Sequence, residues 1–139
     1  MTSRIPIERL FVYGTLMPGC CNHRWIEGSV HSACSGRIRG ILVDLGAYPA
    51  LVSGDGIVEG VVLEIDAPAV VFLDHVEGYV PRRDDCLYSR KEVTVELDDG
   101  KETNAWTYQF AHPQRLRDHP RVALKIVDGI CVYAWSSKT

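Results

Sequence analysis

The sequence has 139 residues, of which 46% are hydrophobic and 24% are charged, and this balance is typical of one soluble globular domain. A net charge of −3 gives no basic surface for nucleic acid or anionic membranes. No apolar run approaches the roughly 18–20 residues that span a bilayer. We therefore expect a single domain over residues 1–139, with neither a nucleic-acid nor a membrane partner.

The cysteines give information about the cellular compartment. They are five in number and form no CxxC pair: Cys20, Cys21, Cys34, Cys86 and Cys131. An odd count without paired spacing argues against a disulfide framework and favours a reducing compartment. Residues 1–10 have no long apolar region before a small-residue cleavage site, so no signal peptide is expected. The sequence predicts a cytoplasmic location.

The first half of the chain contains three expected strands. Residues 10–13 form a short apolar run that a glycine ends. Residues 37–45 form a second strand, in which Gly40 suggests a bulge or a close approach. The β-branched residues of 57–65 form a third strand, and SGDG at 53–56 is expected to be the turn before it.

One helix is expected to interrupt the strands. Asp66 is a good N-cap, Pro68 suits the first turn, and Gly78 is placed to end the helix. The apolar residues at helical spacing predict its buried face: Ala69, Phe72, Leu73 and Val76.

The second half contains the strongest hairpin signal. Residues 91–97 and 103–110 alternate apolar and polar side chains on either side of Asp98-Asp99-Gly100. Residues 126–135 read either as a late strand pair or as an extended segment. At least five strands and one helix favour an α+β fold, a small, mostly antiparallel or mixed β-barrel with a flanking helix.

Glu77 is the first candidate catalytic residue. At about 100° per residue it falls at the margin of the apolar stripe near Leu73, whereas Asp74 is expected to lie further toward solvent. Burial and the negative end of the helix dipole both raise the pKa of a carboxylate, as a general base near neutral pH requires. Alternatively, Glu77 reaches water or pairs with Arg82 or Arg83.

The loop after the first strand is the second candidate. Tyr13, Gly14, Thr15 and Leu16 follow the strand, and Pro18 would stiffen the exit. Main-chain N–H groups that leave a strand here lack a ladder partner and could bind an anion, with Gly14 allowing close approach. The simpler interpretation is an ordinary turn.

Five segments together resemble the γ-glutamylcyclotransferase-like family, which includes the AIG2-like proteins and γ-glutamylamine cyclotransferase. Their order and spacing agree with that family across roughly residues 9–110, and residues 111–139 match nothing that can be carried over. The segments are YGTL at 13–16, YPAL at 48–51, GIVEGVV at 56–62, LDHVEGY at 73–79 and YSRKEVTV at 88–95.

The resemblance implies a small β-barrel enzyme of the lyase or transferase type that cyclises a γ-glutamyl amide to 5-oxoproline and releases the amine. It implies that Glu77 is the catalytic residue and that residues 13–16 bind the substrate. Tyr88 matches a family position and either lines the pocket or packs in the core with a satisfied hydroxyl. The substrate carries its own nucleophile, so neither a metal nor another cofactor is expected.

Three alternatives remain open from the residues. The first is a thiol nucleophile or a metal site formed by Cys20, Cys21 and His23, which lie together in the sequence. These residues lack the spacing of a metal site and a neighbouring acid for a triad. A second possibility is a non-catalytic small-molecule-binding barrel of the same fold, which would have no need of a carboxylate at residue 77. The third is the same chemistry on a γ-glutamyl-tagged metabolite in biosynthesis, with only the leaving group changed.

Overall fold

The computed structural model describes residues 5–80, 83, 86–122 and 124–135. One α-helix, α1 (Ala67–Glu77), and three short 3-10 helices (His23–Trp25, Glu27–Ser29 and Pro113–Leu116) lie among the strands of this part of the chain. The strands are β1 (Ile7–Val12), β2 (Val30–Asp44), β3 (Pro49–Asp66), β4 (Tyr88–Leu97), β5 (Glu102–Phe110), β6 (Leu124–Val127) and β7 (Ile130–Tyr133).

Five of the strands close into a barrel in the order β1-β5-β4-β2-β3, because β3 pairs back with β1. The barrel is mixed: β1 runs parallel to β5, and the other barrel pairs are antiparallel. Strand β7 lies parallel to β3 at residues 57–58, and β6 pairs outside it. The predicted α+β barrel with a flanking helix is confirmed. Within the described residues, no helix is both long and apolar enough to cross a bilayer.

Strands β2 and β3 are much longer than the sequence predicted, and the predicted turn at 53–56 is wrong. The ladder passes from the pair Arg39–Ile57 to the pair Ile41–Val52, so residues 53–56 form an irregularity inside β3. The SGDG signal therefore marks a bulge, where glycines allow the two backbones to approach. The bulge expected at residue 40 lies at the same place.

The predicted ends of the helix are confirmed. Asp66 is the N-cap residue, although its carboxylate accepts a 2.6 Å hydrogen bond from His31 Nε2 and makes no capping bond. Gly78 takes the left-handed conformation at φ 69°. The N–H of Gly78 bonds to His75 O, and the N–H of Tyr79 bonds to Asp74 O. A left-handed glycine followed by two such backbone hydrogen bonds is a common way for a helix to end.

The predicted buried face of the helix is wrong at two positions. Phe72 and Val76 are 47% and 42% exposed, while Val70 and Asp74 are buried instead. Asp74 was expected in solvent, but it faces the barrel because Arg90 supplies it with a charged partner. A buried carboxylate is tolerated where such partners exist, and apolar spacing alone cannot reveal them.

The predicted hairpin is confirmed as β4 and β5, paired from Tyr88–Phe110 to Glu96–Glu102. Of the two interpretations for residues 126–135, the strand pair is observed. Its turn has positive φ at both Asp128 and Gly129, as a two-residue hairpin requires.

The closed sheet buries side chains on both faces. Leu10 and Val12 pack with Leu73 of α1 in one cluster, and Phe11 and Tyr13 pack in a second cluster on the other face. Side chains alternate between the two faces along β1, and the strand leads to residue 13 beside the end of the helix. The loop that follows therefore begins next to the helix end.

Candidate active site

The loop that follows β1 is held by hydrogen bonds to its oxygen atoms. Asn22 N–H donates to Thr15 O at 2.9 Å, and Asn22 Nδ2 donates to Thr15 Oγ1 at 2.9 Å. His23 Nδ1 lies 2.8 Å from Leu16 O. None of these bonds uses the N–H group of Gly14, Thr15 or Leu16. These contacts hold the loop in place, and within the described residues no hydrogen bond uses the three N–H groups, so they are available to another acceptor.

Gly14 is required by the protein's own packing. A Cβ atom at this position would lie 2.8 Å from Cδ and Cγ of Pro49, at the start of β3. The sequence suggested that the glycine makes room for a ligand. The contact with Pro49 is sufficient to explain a glycine at this position. The same contact packs the loop closely against the start of β3.

Glu77 is the last residue of α1, and its side chain is half-buried. Burial raises the pKa of its carboxyl above the ordinary value. Burial is the cause of this shift, and within the part of the chain that the structure describes no hydrogen bond or ion pair reaches this carboxylate. Of the two arginines offered as alternative partners, Arg82 lies outside the described residues, and Arg83 has an interaction of its own.

Tyr88 carries a buried hydroxyl that has no hydrogen-bond partner among the described residues. Burial raises the pKa of this phenol well above its usual range, and the neighbouring Tyr48 and Glu77 raise it further. Its ring packs edge-on against Phe110, with centroids 5.3 Å apart. Tyr88 thus packs in the core and also lines the cavity, with the side chain of Tyr48 close to its hydroxyl. A buried hydroxyl without a partner is available to a ligand.

Tyr13 and Tyr108 have hydroxyls that are already in use. Tyr13 donates to Tyr108 O at 2.6 Å, and Tyr108 donates to Asp74 Oδ1 at 2.6 Å. Arg90 Nε donates to the same Asp74 oxygen at 3.0 Å, and the Arg90 guanidinium lies 4.5 Å from the Trp106 ring centre. These contacts connect α1 to β1, β4 and β5, and they hold the tyrosine rings in place.

The six residues that the sequence singled out lie on the wall of one cavity of about 350 Å³. Glu77 thus shares a cavity with residues 13–16. The cavity is lined by Phe11, Val12, Tyr13, Gly14, Thr15, Leu16, Asn22, Trp25, Tyr48, Pro49, Val76, Glu77, Leu87, Tyr88 and Tyr108.

Sequence reasoning missed several lining residues, notably Asn22, Trp25, Leu87 and Tyr108. Tyr108 could have been found from its place in the alternation of β5, which directs it to the same sheet face as its neighbours two residues away. Asn22, Trp25 and Leu87 lie in connecting segments without a periodic signal, so only the closed fold brings them to the cavity.

The cysteine and histidine cluster offers poor conditions for catalysis. Burial raises the pKa of the Cys20 thiol, and the adjacent Cys21 raises it further, which disfavours a nucleophilic thiolate. His23 is engaged with Leu16 O. No group of three or more potential metal ligands occurs in the described ranges, and the cysteines form no disulfide there.

Comparison with known families gives one match over most of the chain. A model of the family described as gamma-glutamyl cyclotransferase, AIG2-like, matches residues 10–126. The chain is 32% identical over 136 residues to the Niallia circulans gamma-L-glutamyl-butirosin B gamma-glutamyl cyclotransferase, covering 94% of this chain and 86% of that protein. It is 31% identical over 101 residues to human gamma-glutamylaminecyclotransferase, covering 63% and 61%.

Solved structures give the same fold. An AIG2-like protein from Mus musculus superposes with a TM-score of 0.65 and 24% identity, over 83% of this chain and 85% of the mouse protein. YkqA from Bacillus subtilis superposes with a TM-score of 0.63 and 27% identity, over 84% of this chain and 38% of that longer protein.

Proposed function

The chain belongs to the gamma-glutamyl cyclotransferase, AIG2-like family, and we propose that it cyclises a γ-glutamyl amide to 5-oxoproline with Glu77 as the general acid and base. The observation that carries this proposal is that one cavity is lined both by residues 14–16 and by Glu77, whose half-buried carboxylate has no partner among the described residues. A carboxylate with a raised pKa in the same cavity as unused N–H donors suits a reaction that moves protons and develops an oxyanion.

The substrate supplies the nucleophile for this reaction. Its α-amine attacks its own γ-carbonyl carbon and closes a five-membered ring. Intramolecular attack in a well-oriented substrate reaches effective molarities of about 10⁵–10⁸ M. The protein has to hold the substrate in the folded conformation and transfer protons, so the chemistry requires neither a covalent enzyme intermediate nor a metal.

Glu77 performs the proton transfers. Its carboxylate takes one proton from the α-ammonium, and the freed amine forms the new C–N bond. The resulting carboxylic acid then donates that proton to the departing nitrogen as the original amide C–N bond breaks. The lactam nitrogen gives up its second proton to solvent, and the released amine takes up one proton from solvent, so that charge balances.

The loop and Tyr88 provide the hydrogen bonds. The N–H groups of Gly14, Thr15 and Leu16 are suited to the α-carboxylate of the substrate or to the oxyanion at the γ-carbon. The Tyr88 hydroxyl, which finds no protein partner in the described part of the chain, is a further donor to the substrate. Thr15 Oγ1 accepts from Asn22, which leaves its own hydrogen for the ligand.

A γ-glutamyl-tagged metabolite is a second candidate substrate. The relative from Niallia circulans is named as a gamma-glutamyl cyclotransferase of gamma-L-glutamyl-butirosin B. Chemistry at the γ-glutamyl end would be identical, and only the wall that receives the amine would differ. A non-catalytic binding barrel is the competing proposal, and a carboxylate that has a raised pKa and no partner among the described residues has no use in it.

The test is production of 5-oxoproline from a panel of γ-glutamyl amines and dipeptides. We expect the wild-type chain to form 5-oxoproline and Glu77→Gln to be about 10²–10⁴-fold slower, because the amide cannot accept the proton. Glu102→Gln is the matched control, since Glu102 is exposed at the β4–β5 turn and away from the cavity.

Binding without product would favour the non-catalytic barrel. The decisive measurement is a thermal shift with the same panel, recorded for the wild type and for Glu77→Gln. Retained shifts together with lost turnover in the variant support the proposal, whereas shifts without turnover in the wild type contradict it.

A further inference from the structure

Four large, mainly apolar side chains that line the cavity each keep much of their surface in water. Trp25 is 44% exposed, Tyr48 46%, Val76 42% and Leu87 50%, although all four line the cavity. We call these four residues the rim. Clustered exposed apolar side chains on a protein surface commonly mark a ligand site.

The rim residues come from four separate parts of the chain. Trp25 ends a 3-10 helix, Tyr48 lies in the β2–β3 turn, Val76 is in the last turn of α1, and Leu87 precedes β4. The cluster is therefore not the apolar stripe of a single element that lacks a packing partner. Four independent segments direct apolar surface toward one opening.

The floor of the cavity differs from the rim in polarity and exposure. Tyr13, Tyr88 and Tyr108 are at most 8% exposed, and the carboxylate of Glu77 lies beside them. Because the γ-carbonyl has to reach Glu77, the polar γ-glutamyl part occupies the floor. The substituent on the amide nitrogen then extends to the rim, an assignment that rests on the proposed function.

The charges around the cavity restrict what this substituent can be. No Arg, Lys or His occurs among the described lining residues, and Glu77 is the single carboxylate. A leaving group with its own carboxylate would be desolvated against the rim without a cation to pair with. An apolar or aromatic body would instead bury the exposed surface of the rim.

We propose that the rim makes this enzyme selective for γ-glutamyl derivatives of uncharged apolar amines, aromatic amines above all. Amino acids and small alkyl amines are poorer leaving groups for this site. The rim residues are determinants of specificity and take no part in proton transfer.

Three substrates that share the γ-glutamyl part test this selectivity. L-γ-Glutamyl-phenethylamide has an aromatic body, L-γ-glutamylphenylalanine adds a carboxylate to that body, and L-γ-glutamyl-ethylamide lacks the ring. We expect kcat/KM for the phenethylamide to exceed both others by about 10-fold or more, in the range that hydrophobic pockets achieve.

Variants assign the selectivity to the rim. Trp25→Ala is expected to lower kcat/KM for the phenethylamide about 10-fold and for the ethylamide less than about 2-fold. Val76→Ala should have a smaller effect in the same direction. Val71→Ala removes the same atoms from the same helix at an exposed position outside the cavity, and it should change neither value.

A charge introduced at the rim should reverse the preference. Leu87→Arg places a cation at a half-exposed position, where it can pair with the carboxylate of γ-glutamylphenylalanine. The ratio of kcat/KM for γ-glutamylphenylalanine to that for the phenethylamide should rise about 10-fold or more.

The outcomes separate this inference from the function on which it rests. If none of the three substrates yields 5-oxoproline, the proposed function fails and the inference fails with it. If all three react and kcat/KM for the ethylamide or the dipeptide equals that for the phenethylamide, the selectivity is refuted and the cyclotransferase assignment stands. Thermal melting of each variant identifies any loss that comes from unfolding.

Discussion

At the scale of single residues, the placement of Glu77 favours function over stability. Its carboxylate is half-buried without a partner among the described residues, and the same burial that raises its pKa makes the ionised form unfavourable in the folded state. A residue placed only to stabilise the fold would be paired or apolar. The proposed proton transfer explains why an acid stands here.

The raised pKa of Glu77 predicts a pH dependence with a definite sign. The proposed base is the ionised form, so kcat/KM should fall with decreasing pH, with a midpoint above that of an ordinary glutamate. A pH–rate profile of the wild type measures this midpoint. A midpoint at or below the ordinary glutamate value would contradict the assignment.

Stability should change with pH in the opposite direction. The folded protein binds the proton of Glu77 more tightly than the unfolded chain does, so ionisation destabilises the fold above the folded pKa. This destabilisation disappears as pH falls through the folded pKa to below the unfolded one. Glu77→Gln should therefore melt at or above the wild-type temperature at pH 7, and lose that advantage in acid.

Two buried tyrosines form a matched pair for a second test. The hydroxyl of Tyr88 has no protein partner in the described residues, whereas the hydroxyl of Tyr108 donates to Asp74 at 2.6 Å. Tyr88→Phe should leave the free energy of unfolding unchanged or raised and reduce kcat. Tyr108→Phe should lower the free energy of unfolding by about 1–3 kcal/mol, because Asp74 loses a donor.

Urea unfolding and single-substrate kinetics of both variants check this prediction. Loss of stability in Tyr88→Phe would show that its hydroxyl has a structural partner. Unchanged turnover in that variant would remove Tyr88 from the proposed set of substrate donors.

At the scale of elements, the end of helix α1 and the loop after β1 position the site. Gly78 ends the helix in the left-handed conformation and thereby sets where Glu77, the residue before it, points. In the loop that lines the same cavity, Asn22 holds the carbonyl and hydroxyl of Thr15, and Pro49 packs against Gly14. Both parts of the cavity are held by local contacts, and such support favours a site that holds its groups in place before the substrate arrives.

The helix end provides a test at this scale. Gly78→Ala introduces a side chain at φ 69°, which should lower the free energy of unfolding by about 1 kcal/mol. The same substitution should reduce kcat, because strain at residue 78 shifts Glu77. Gly28→Ala is the control, since a Cβ there meets no atom within 4 Å and φ is not positive. Equal stability of the two variants in urea would contradict the role given to the cap.

At the scale of the whole molecule, closure of the barrel joins distant parts of the chain around one cavity. The parallel contact of β1 with β5 has a single register pair, Leu10–Trp106. Buried Thr107 strengthens it by donating from its hydroxyl to Phe11 O at 2.9 Å. This seam places Tyr108 beside Tyr13, and β3, pairing with β1 on its other side, leads directly into α1 and Glu77.

Local signals in the sequence were sufficient for much of the fold. Cap residues predicted both ends of α1, alternation predicted the β4–β5 hairpin, and strand number predicted the barrel. The resemblance to the family is confirmed by the match over residues 10–126. The assignment of one domain to residues 1–139 and the catalytic and binding roles of the six site residues remain predictions.

The errors occurred where tertiary contacts override local pattern. The glycines of residues 53–56 read as a turn, yet long pairing with β2 carries the strand through them as a bulge. Asp74 read as solvent-facing, yet Arg90 and Tyr108 satisfy it inside the fold. Neither partner is visible from the neighbouring sequence.

Periodicity, caps and turn residues act over a few positions, so the amino-acid order was enough to predict the elements, the barrel class and the acid at residue 77. The cavity was decided by closure of the sheet, because its walls lie up to 97 positions apart, from Phe11 to Tyr108. The apolar rim and the burial of the Tyr88 hydroxyl arise only when those walls meet, since burial and exposure are properties of the packed chain.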